Sequence, residues 1–381
     1  MGQSTYHHHS IFCILPPHIL HAIAMNGSAA ERTSALNTLA ADQTFRAMRA
    51  DDRLAPPAPK RAGVLAVEGE KHRTIYSAQN QQNLPGVLVR AEGAKPTGDA
   101  AADEAYDGLG ATFDFYWDAY QRNSIDDQGL PLDGTVHFGT NYDNAFWNGE
   151  RMVFGDGDGK LFNRFTISLD VIGHELTHGV TQDEAQLTYN GQSGALNESV
   201  SDVFGSLVKQ HALGQTADKA DWLIGAGLLA AGVKGVALRS MKAPGTAYDD
   251  PVLGKDPQPA HMRNYVHTFQ DNGGVHINSG IPNHAFYLIA VELGGYAWEK
   301  AGQIWYVTLR DKIRSTSNFQ DMANLTFGVA ADLYGANSLE QQAVSKGWTA
   351  VGLAPNGSTP PVPPSTNPGC LSSLLGLFKT F

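Results

Sequence analysis

The stretch Val171–Val180 reads VIGHELTHGV and places His174 and His178 four positions apart. Apolar residues recur at helical spacing through this stretch and the residues before it, which predicts an amphipathic helix. Residues four apart project from one face of a helix, so both imidazoles can reach a single metal ion. Glu175, directly after the first histidine, is then free to exchange protons.

A catalytic zinc ion takes three protein ligands and keeps a fourth position for water, so two histidines alone are an incomplete site. The segment GALNESVSDVFGSLVKQHA (194–212) has an apolar stripe typical of a second helix and carries Glu198 twenty residues after His178. We predict Glu198 as the third ligand. Asp202, one turn further on the same face, is predicted to accept the second ring N–H of a ligating histidine, His174. A helix that holds two histidines by chance would not account for this second helix.

Composition narrows the class of protein. The chain has 381 residues, 42% of them apolar and 17% charged, which fits a globular protein of two or three domains. Its formal net charge of -11 argues against nucleic acid or an anionic membrane as the main partner. No apolar run reaches the roughly 20 residues of a membrane span. The two cysteines, Cys13 and Cys370, cannot form a disulfide framework or a cysteine zinc cluster.

Changes in pattern along the chain predict four regions. Residues 1–70 form an N-terminal segment that ends in an exposed linker, RLAPPAPKRAG. Residues 71–180 are rich in short strand-like runs and end in the HELTH helix. Residues 181–354 are predominantly helical, and 355–381 are a Pro/Ser-rich linker followed by a short apolar tail. This order predicts an α+β fold with HELTH near the junction of the two lobes.

Several motifs between about Arg73 and Leu353 resemble the thermolysin-like neutral metallopeptidases: NAFWNGERMVFGDGDG, HELTHGVT, GALNESVSD, LRSM and DNGGVHINSGIPNHAFY. The resemblance implies a β-rich N-terminal lobe and an α-helical C-terminal lobe, with the zinc helix across the cleft between them. It also implies a zinc-dependent endopeptidase with His174, His178 and Glu198 as ligands. Glu175 would be the general base that acts on a zinc-activated water.

The same resemblance implies roles that spacing alone does not suggest. His276 and Tyr189 would stabilise the oxyanion, and Asp271 would keep His276 oriented and charged. Asn144 and Ala145 match an edge strand that binds an extended peptide.

The resemblance also predicts the substrate pocket. Arg239 would hold a substrate carbonyl, and the pocket beside it would be lined by Phe162, Phe165, Val171 and Leu238. That pocket implies cleavage on the amino side of bulky hydrophobic residues, although plain core packing remains an equal interpretation of these four side chains.

The beginning of the chain resembles the short propeptides of the protealysin-like subgroup, on the motif ILPPHIL. This implies a zymogen whose own N-terminal segment blocks the cleft and is cut between Pro56 and Arg73. In that state Cys13, with His18 or His21, could contact zinc, but a cysteine buried among apolar side chains is the favoured interpretation. The N-terminus lacks a clear signal peptide, yet relatives are mostly secreted. We expect secretion, with cytoplasmic storage or non-standard export as alternatives.

Calcium is the main departure from the family pattern. Thermolysin-like enzymes often bind two calcium ions in the helical lobe, and Asp170 and Asp221 are retained here. The other positions hold Lys209, Leu223 and Ala226, whereas calcium needs several oxygen ligands. We expect no double calcium site, with the lysine replacing one calcium charge; calcium elsewhere stays open.

The expected protein is a monomer that acts on peptide or protein substrates. Two other functions remain as alternatives: a catalytically silent or permanently inhibited relative that acts as a binding protein, and a metal hydrolase of small amides.

Overall fold

The computed structural model describes residues 12–51 and 68–358. Most of the predicted cleavage region between Pro56 and Arg73 and most of the predicted C-terminal linker and tail lie outside these residues. The strands are β1 Phe12–Cys13, β2 Arg73–Ser77, β3 Val87–Ala91, β4 Leu132–Val136, β5 Ala145–Trp147, β6 Met152–Phe154, β7 Leu223–Ile224, β8 Arg239–Ser240, β9 Asp249–Asp250 and β10 Gly254–Lys255. The helices are α1 Pro17–Asn26, α2 Ala29–Asp51, α3 Ala100–Tyr120, α4 Leu169–Glu184, α5 Gly191–Ala212, α6 Asp271–Asn278, α7 Gly280–Leu293, α8 Ala301–Val307, α9 Phe319–Tyr334 and α10 Leu339–Ala350.

One mixed sheet organises the N-terminal lobe. Its six strands lie in the order β1-β5-β6-β4-β2-β3, and β4 runs parallel to both of its neighbours. The outermost strand on one side, β1, belongs to the N-terminal segment and pairs antiparallel with β5. The next lobe is built from helices α5 to α10, and its short strands form only two-stranded ribbons. The predicted α+β fold with two lobes is confirmed.

Helix α4, which carries HELTH, lies between the lobes because it packs on β5 on one side and on α5 on the other. It is buried along most of its length. Gly205 of α5 allows this close packing, since a Cβ there would lie 2.4 Å from the Asp170 carbonyl oxygen and 2.9 Å from the His174 nitrogen. The two helices that carry the predicted ligands are therefore held side by side.

Helix α2 packs on α1 and presents a polar stripe to the catalytic lobe. Ser34, Thr38 and Asp42 follow one another at intervals of four, so they share one face. Ser34 Oγ donates to the Asn141 carbonyl and to Asp143, and Thr38 Oγ1 accepts from the Asp143 N–H. This stripe fixes the N-terminal segment to the chain that leads into β5. Among the described residues, the helices are too short or too polar to cross a membrane.

Candidate active site

The three predicted metal ligands converge in the buried space between α4 and α5. The His174 and His178 Nε2 atoms lie 3.0 Å apart, and each is 3.5 Å from a carboxylate oxygen of Glu198. All three side chains are buried. Among the described residues, these are the three that could together hold a metal ion.

Hydrogen bonds fix the orientation of both imidazoles. His174 Nδ1 donates to Asp202 Oδ1 at 2.8 Å, as the helical spacing predicts. His178 Nδ1 donates to Asn197 Oδ1 at 2.7 Å. With Nδ1 protonated in each ring, the Nε2 lone pairs of the neutral rings point at each other and at Glu198.

This donor set fits a zinc ion. Two acceptor nitrogens 3.0 Å apart repel each other unless a proton or a cation lies between them. The Glu198 Oε2 atom is buried without a hydrogen-bond partner, which is costly for a carboxylate. Burial, together with the neighbouring His174, keeps the pKa of His178 well below its ordinary value, so this ring stays neutral. Two imidazole nitrogens and one carboxylate are a usual ligand set for catalytic zinc.

Glu175 lies beside these ligands, on the side of strand β5. Its Oε2 accepts from the Trp147 backbone N–H of β5 at 3.1 Å, and its Oε1 has no hydrogen-bond partner. Burial and the nearby Glu198 raise the pKa of Glu175 well above its ordinary value. A carboxyl group with a raised pKa and a free oxygen is suited to take up and release protons.

His276 and Tyr189 approach the ligand cluster from the helical lobe. His276 Nε2 lies 3.5 Å from Glu198 Oε2 and 3.3 Å from the Tyr189 hydroxyl, which itself donates to Glu198. Asp271 accepts from both the backbone N–H and Nδ1 of His276, at 2.9 and 2.6 Å. Burial alone would lower the pKa of His276, but the Asp271 and Glu198 carboxylates together raise that pKa. His276 is thus held in place as a donor toward the cluster.

Asp202 links the metal ligand His174 to Arg239. Arg239 donates to Asp202 through Nε and Nη2, at 2.9 and 2.8 Å. Asn283 adds a third contact to the same carboxylate at 2.8 Å. Burial would raise the pKa of Asp202, but Arg239 and His174 hold it well below its ordinary range. The resulting charged pair leaves Arg239 Nη1 available to face the cleft.

The N-terminal segment occupies the cleft as an added strand. The Ile14 N–H donates to the Ala145 carbonyl at 3.2 Å, and the Leu15 N–H donates to Asn144 Oδ1 at 3.0 Å. Arg239 Nη1 donates to the Ile14 carbonyl at 3.0 Å. His276 Nε2 lies 3.2 Å from the Cys13 carbonyl oxygen. The residues predicted to bind substrate are therefore engaged by the protein's own chain.

Cys13 was expected either to contact zinc or to be buried among apolar side chains, and the structure shows it buried. Its thiol is buried in a small apolar cluster with Phe138, Tyr142 and Phe146. Neither Cys13, His18 nor His21 belongs to the potential metal cluster of the described residues.

His18, on α1, is also buried within the segment. Its Nε2 lies 3.1 Å from the Tyr248 hydroxyl. Burial lowers its pKa to about 4, so this histidine is neutral near pH 7.

The four predicted pocket residues are all buried in the main apolar core, which also contains Ile14. The ring centroids of Phe162 and Phe165 lie 5.9 Å apart. Their common cluster is compatible with a pocket around Ile14 and also with plain packing. The role of Phe162, Phe165, Val171 and Leu238 stays a prediction.

Lys209 lies between Asp170 and Asp221, the two acidic residues that the family resemblance associates with calcium, and the absence of a double calcium site stays a prediction. Its Nζ lies 3.0 Å from Asp170 and 2.8 Å from Asp221. Burial would lower the pKa of this lysine, but the two carboxylates raise it. The ammonium group thus pairs with both retained acidic residues and offsets one of their two charges.

Sequence reasoning missed several groups that position the site. Asn197 precedes Glu198 and falls near the face that binds His178, so its helical position was a usable signal. Asn283 lies 81 residues from Asp202 and has no local signal of its contact. Asp42 accepts from the Asn144 amide at 3.0 Å, which orients the Asn144 oxygen toward Leu15. That contact joins distant segments and follows only from the fold.

The fold and the site together define a metal-dependent peptidase with its cleft between two lobes. Comparison with known families agrees with this class. Residues 31–182 match the thermolysin metallopeptidase catalytic domain, and residues 185–353 match the α-helical domain of the same enzymes.

Individual relatives are similar over most of their length. The chain is 56% identical over 344 residues to an extracellular metalloprotease from Pectobacterium carotovorum subsp. carotovorum, covering 90% of this chain and 96% of that protein. It is 51% identical over 346 residues to the protease PrtS from Photorhabdus sp. (strain Az29), covering 89% and 91%. Among solved structures it resembles the precursor of protealysin, a metalloproteinase from Serratia proteamaculans. The TM-score is 0.82 at 56% identity, over 90% of this chain and all of that one.

The chain therefore belongs to the thermolysin metallopeptidase family, in its protealysin-like group, and it is a thermolysin-like metalloendopeptidase. This family uses zinc, and the cluster of His174, His178 and Glu198 fits a zinc site.

Proposed function

We propose that this protein is a zinc endopeptidase made as a zymogen, which cleaves on the amino side of bulky hydrophobic residues. The observation that carries the proposal is the position of a peptide segment between Glu175, the ligand cluster and His276. The carbonyl of the Cys13–Ile14 bond lies 3.2 Å from His276 Nε2 and its N–H donates to Ala145, which supports the proposal.

In this proposal, the metal ligands and Glu175 have separate roles in peptide hydrolysis. Zinc held by His174, His178 and Glu198 would polarise the scissile carbonyl and lower the pKa of a bound water. Glu175 takes a proton from the attacking water and passes it to the leaving nitrogen.

The oxyanion donors complete the reaction site. His276 and Tyr189 donate to the oxygen that becomes negative, and Asp271 keeps His276 protonated. One preorganised donor of this kind is typically worth about 3–4 kcal/mol of barrier.

Binding of the substrate follows strand addition to β5. The Ala145 carbonyl and the Asn144 side-chain oxygen accept from backbone N–H groups of the substrate, as they do from Ile14 and Leu15, and Arg239 donates to the carbonyl that follows the scissile bond. The side chain after that bond enters the apolar space near Phe162, Phe165, Val171 and Leu238. Ile14, a bulky apolar residue with no exposed surface in the same apolar core, supports this assignment.

The N-terminal segment acts as the inhibitor in the zymogen. The strand β1 and the residues after it use the hydrogen-bonding groups that a substrate needs, and α2 fastens the segment outside the cleft. We propose residues 1–70 as propeptide and linker, 71–180 and 181–354 as the two catalytic lobes, and 355–381 as an appended linker and tail. The extracellular relatives favour secretion of this chain.

The test is a matched pair of wild type and Glu175→Ala, each incubated alone and with casein, with and without a zinc chelator. We expect the wild type to shorten by about 60–70 residues, as the linker position implies, and to digest casein. The Glu175→Ala protein and the chelated sample should do neither. A wild type that binds zinc but stays full length and inert would instead support the permanently inhibited binding protein.

A further inference from the structure

We infer that the Cys13–Ile14 peptide bond is itself a substrate of this enzyme and is hydrolysed within the same molecule once the metal is bound. The inference rests on the proposed function. It concerns a cut inside the cleft, separate from processing of the linker after α2.

The first support is the register of the segment in the cleft. In chain order, the Cys13 carbonyl oxygen lies beside His276 Nε2, the Ile14 N–H donates to the Ala145 carbonyl, and the Ile14 carbonyl accepts from Arg239 Nη1. A substrate is expected to make its contacts in this same order: its scissile carbonyl with the oxyanion donor, the next N–H with strand β5, and the next carbonyl with the arginine.

The second support is the position of Glu175 relative to the leaving nitrogen. Glu175 Oε2 accepts from the Trp147 backbone N–H at 3.1 Å, and the Ile14 backbone N–H, which donates to Ala145 two positions earlier on β5, lies beside the same carboxylate. The nitrogen that must gain a proton when the bond breaks therefore lies next to the proposed proton carrier. The carbonyl on the other side of that bond lies at His276, 3.2 Å from Nε2.

The third support is that the segment cannot slip. A shift of one residue in a strand turns every side chain to the opposite face. Cys13 and Ile14 are both buried on opposite sides, in the small apolar cluster and in the main core respectively. Pro16 ends the extended stretch, and Pro17 begins α1 directly after it. The segment thus presents one bond to the catalytic groups.

The hydrolysis is balanced by one water molecule. The water oxygen bonds to the Cys13 carbonyl carbon, and the bond from that carbon to the Ile14 nitrogen breaks. Glu175 accepts a proton from the water and delivers it to the nitrogen. The second water proton leaves the new carboxyl group and passes to the amine, so the products are a carboxylate at Cys13 and an ammonium terminus at Ile14.

This cut does not by itself open the cleft. Ile14 and Leu15 keep their contacts with Arg239 and Asn144, and α2 remains fastened by its polar stripe. The cut instead separates strand β1 from the rest of the N-terminal segment. Fewer contacts then have to break before the remaining segment leaves the cleft.

The experiment starts from the full chain purified with a chelator and then supplied with zinc. Intact mass and N-terminal sequencing follow the products over time at several protein concentrations. We expect a new terminus at Ile14 that forms with a first-order rate independent of concentration, and none in Glu175→Gln. Ile14→Asp should slow this cut by at least about 100-fold, because burial of an unpaired carboxylate disfavours the register. Met25→Asp, at an exposed site of α1, is the matched control and should cut like wild type.

A second readout does not depend on turnover. In Glu175→Gln with zinc, the Ile14 and Leu15 amides should be protected from hydrogen exchange, and Ile14→Asp in the same background should remove that protection. A protein that digests casein after linker processing but never shows an Ile14 terminus overturns the inference and leaves the proposed function intact. A protein that neither binds zinc nor digests casein overturns both. A rate that rises with concentration overturns the intramolecular cut.

Discussion

Replacing Lys209 by methionine tests whether the lysine takes over the charge balance of calcium in the helical lobe. Asp170 is fully buried, and its Oδ2 atom pairs with Lys209 Nζ at 3.0 Å. Ser168 and the Gly225 N–H satisfy the other oxygen. Methionine preserves the length and apolar stem of the side chain, but it leaves the carboxylate without a cation.

The expected cost follows from the burial of the pair. Breaking a buried ion pair by removing one partner costs about 3–5 kcal/mol. Asp221 is 45% exposed, so water can reach part of this site and the lower end applies, about 3 kcal/mol. At about 2–4 °C per kcal/mol for a domain of this size, the Tm should fall by roughly 6–12 °C.

The assay is thermal unfolding at pH 7 with a calcium chelator and then with excess calcium. Wild type should show the same Tm in both. Lys209→Met should be destabilised, and adding Asp170→Asn should recover much of the loss. Lys219→Met, which removes an exposed pair with Asp218, is the control and should leave stability nearly unchanged. A loss below about 1 kcal/mol for Lys209→Met, or a wild type strongly stabilised by calcium, would refute the reasoning.

Three further changes address other parts of the structure. Asp202→Asn should weaken zinc affinity by about 10–100-fold through the loss of a firm His174 orientation, measured by competition with a chelator; unchanged affinity would contradict that role. Tyr189→Phe in the processed enzyme should lower kcat by about 10²–10³-fold with KM little changed, and a pure KM effect would argue against an oxyanion donor. Burial and the nearby Asp158 raise the pKa of Asp143 to about 7. The folded protein therefore favours the neutral Asp143 carboxyl group, and its contribution to stability is present below the ordinary pKa and lost as the pH rises through 7. In denaturant unfolding, the free energy of unfolding of Asp143→Asn should match that of wild type at pH 4 and exceed it by up to about 4 kcal/mol at pH 8. Equal stability of the two proteins at both pH values would show that Asp143 is not held neutral.

The local parts of the site could be predicted from the sequence. The spacing of His174 and His178 and the second helix with Glu198 depend on helical periodicity, which the sequence displays directly. The pairing of Asp202 with His174 followed from the same helical geometry. These contacts lie within one helix or between two adjacent helices, so the helical period largely determines which side chains face each other.

The contacts that the sequence alone could not give join distant elements. The polar stripe of Ser34, Thr38 and Asp42 carries no sign of its partners until the fold places α2 beside β5. The choice between zinc contact and burial for Cys13 likewise depends on the direction in which its strand faces, which a two-residue strand does not encode. The pocket residues are apolar in either interpretation, so their identity does not separate pocket from core.

The most direct test of the account is the rate at which the purified chain hydrolyses a fluorogenic peptide with a bulky hydrophobic residue after the scissile bond, before and after its N-terminal segment is removed. The account predicts that zinc-loaded protein is nearly inactive while Ile14 and Leu15 occupy the cleft, and that the rate rises by at least about 100-fold on removal, since the segment uses the same backbone groups as the substrate. Equal rates before and after removal would contradict the central claim that the segment closes the catalytic cleft.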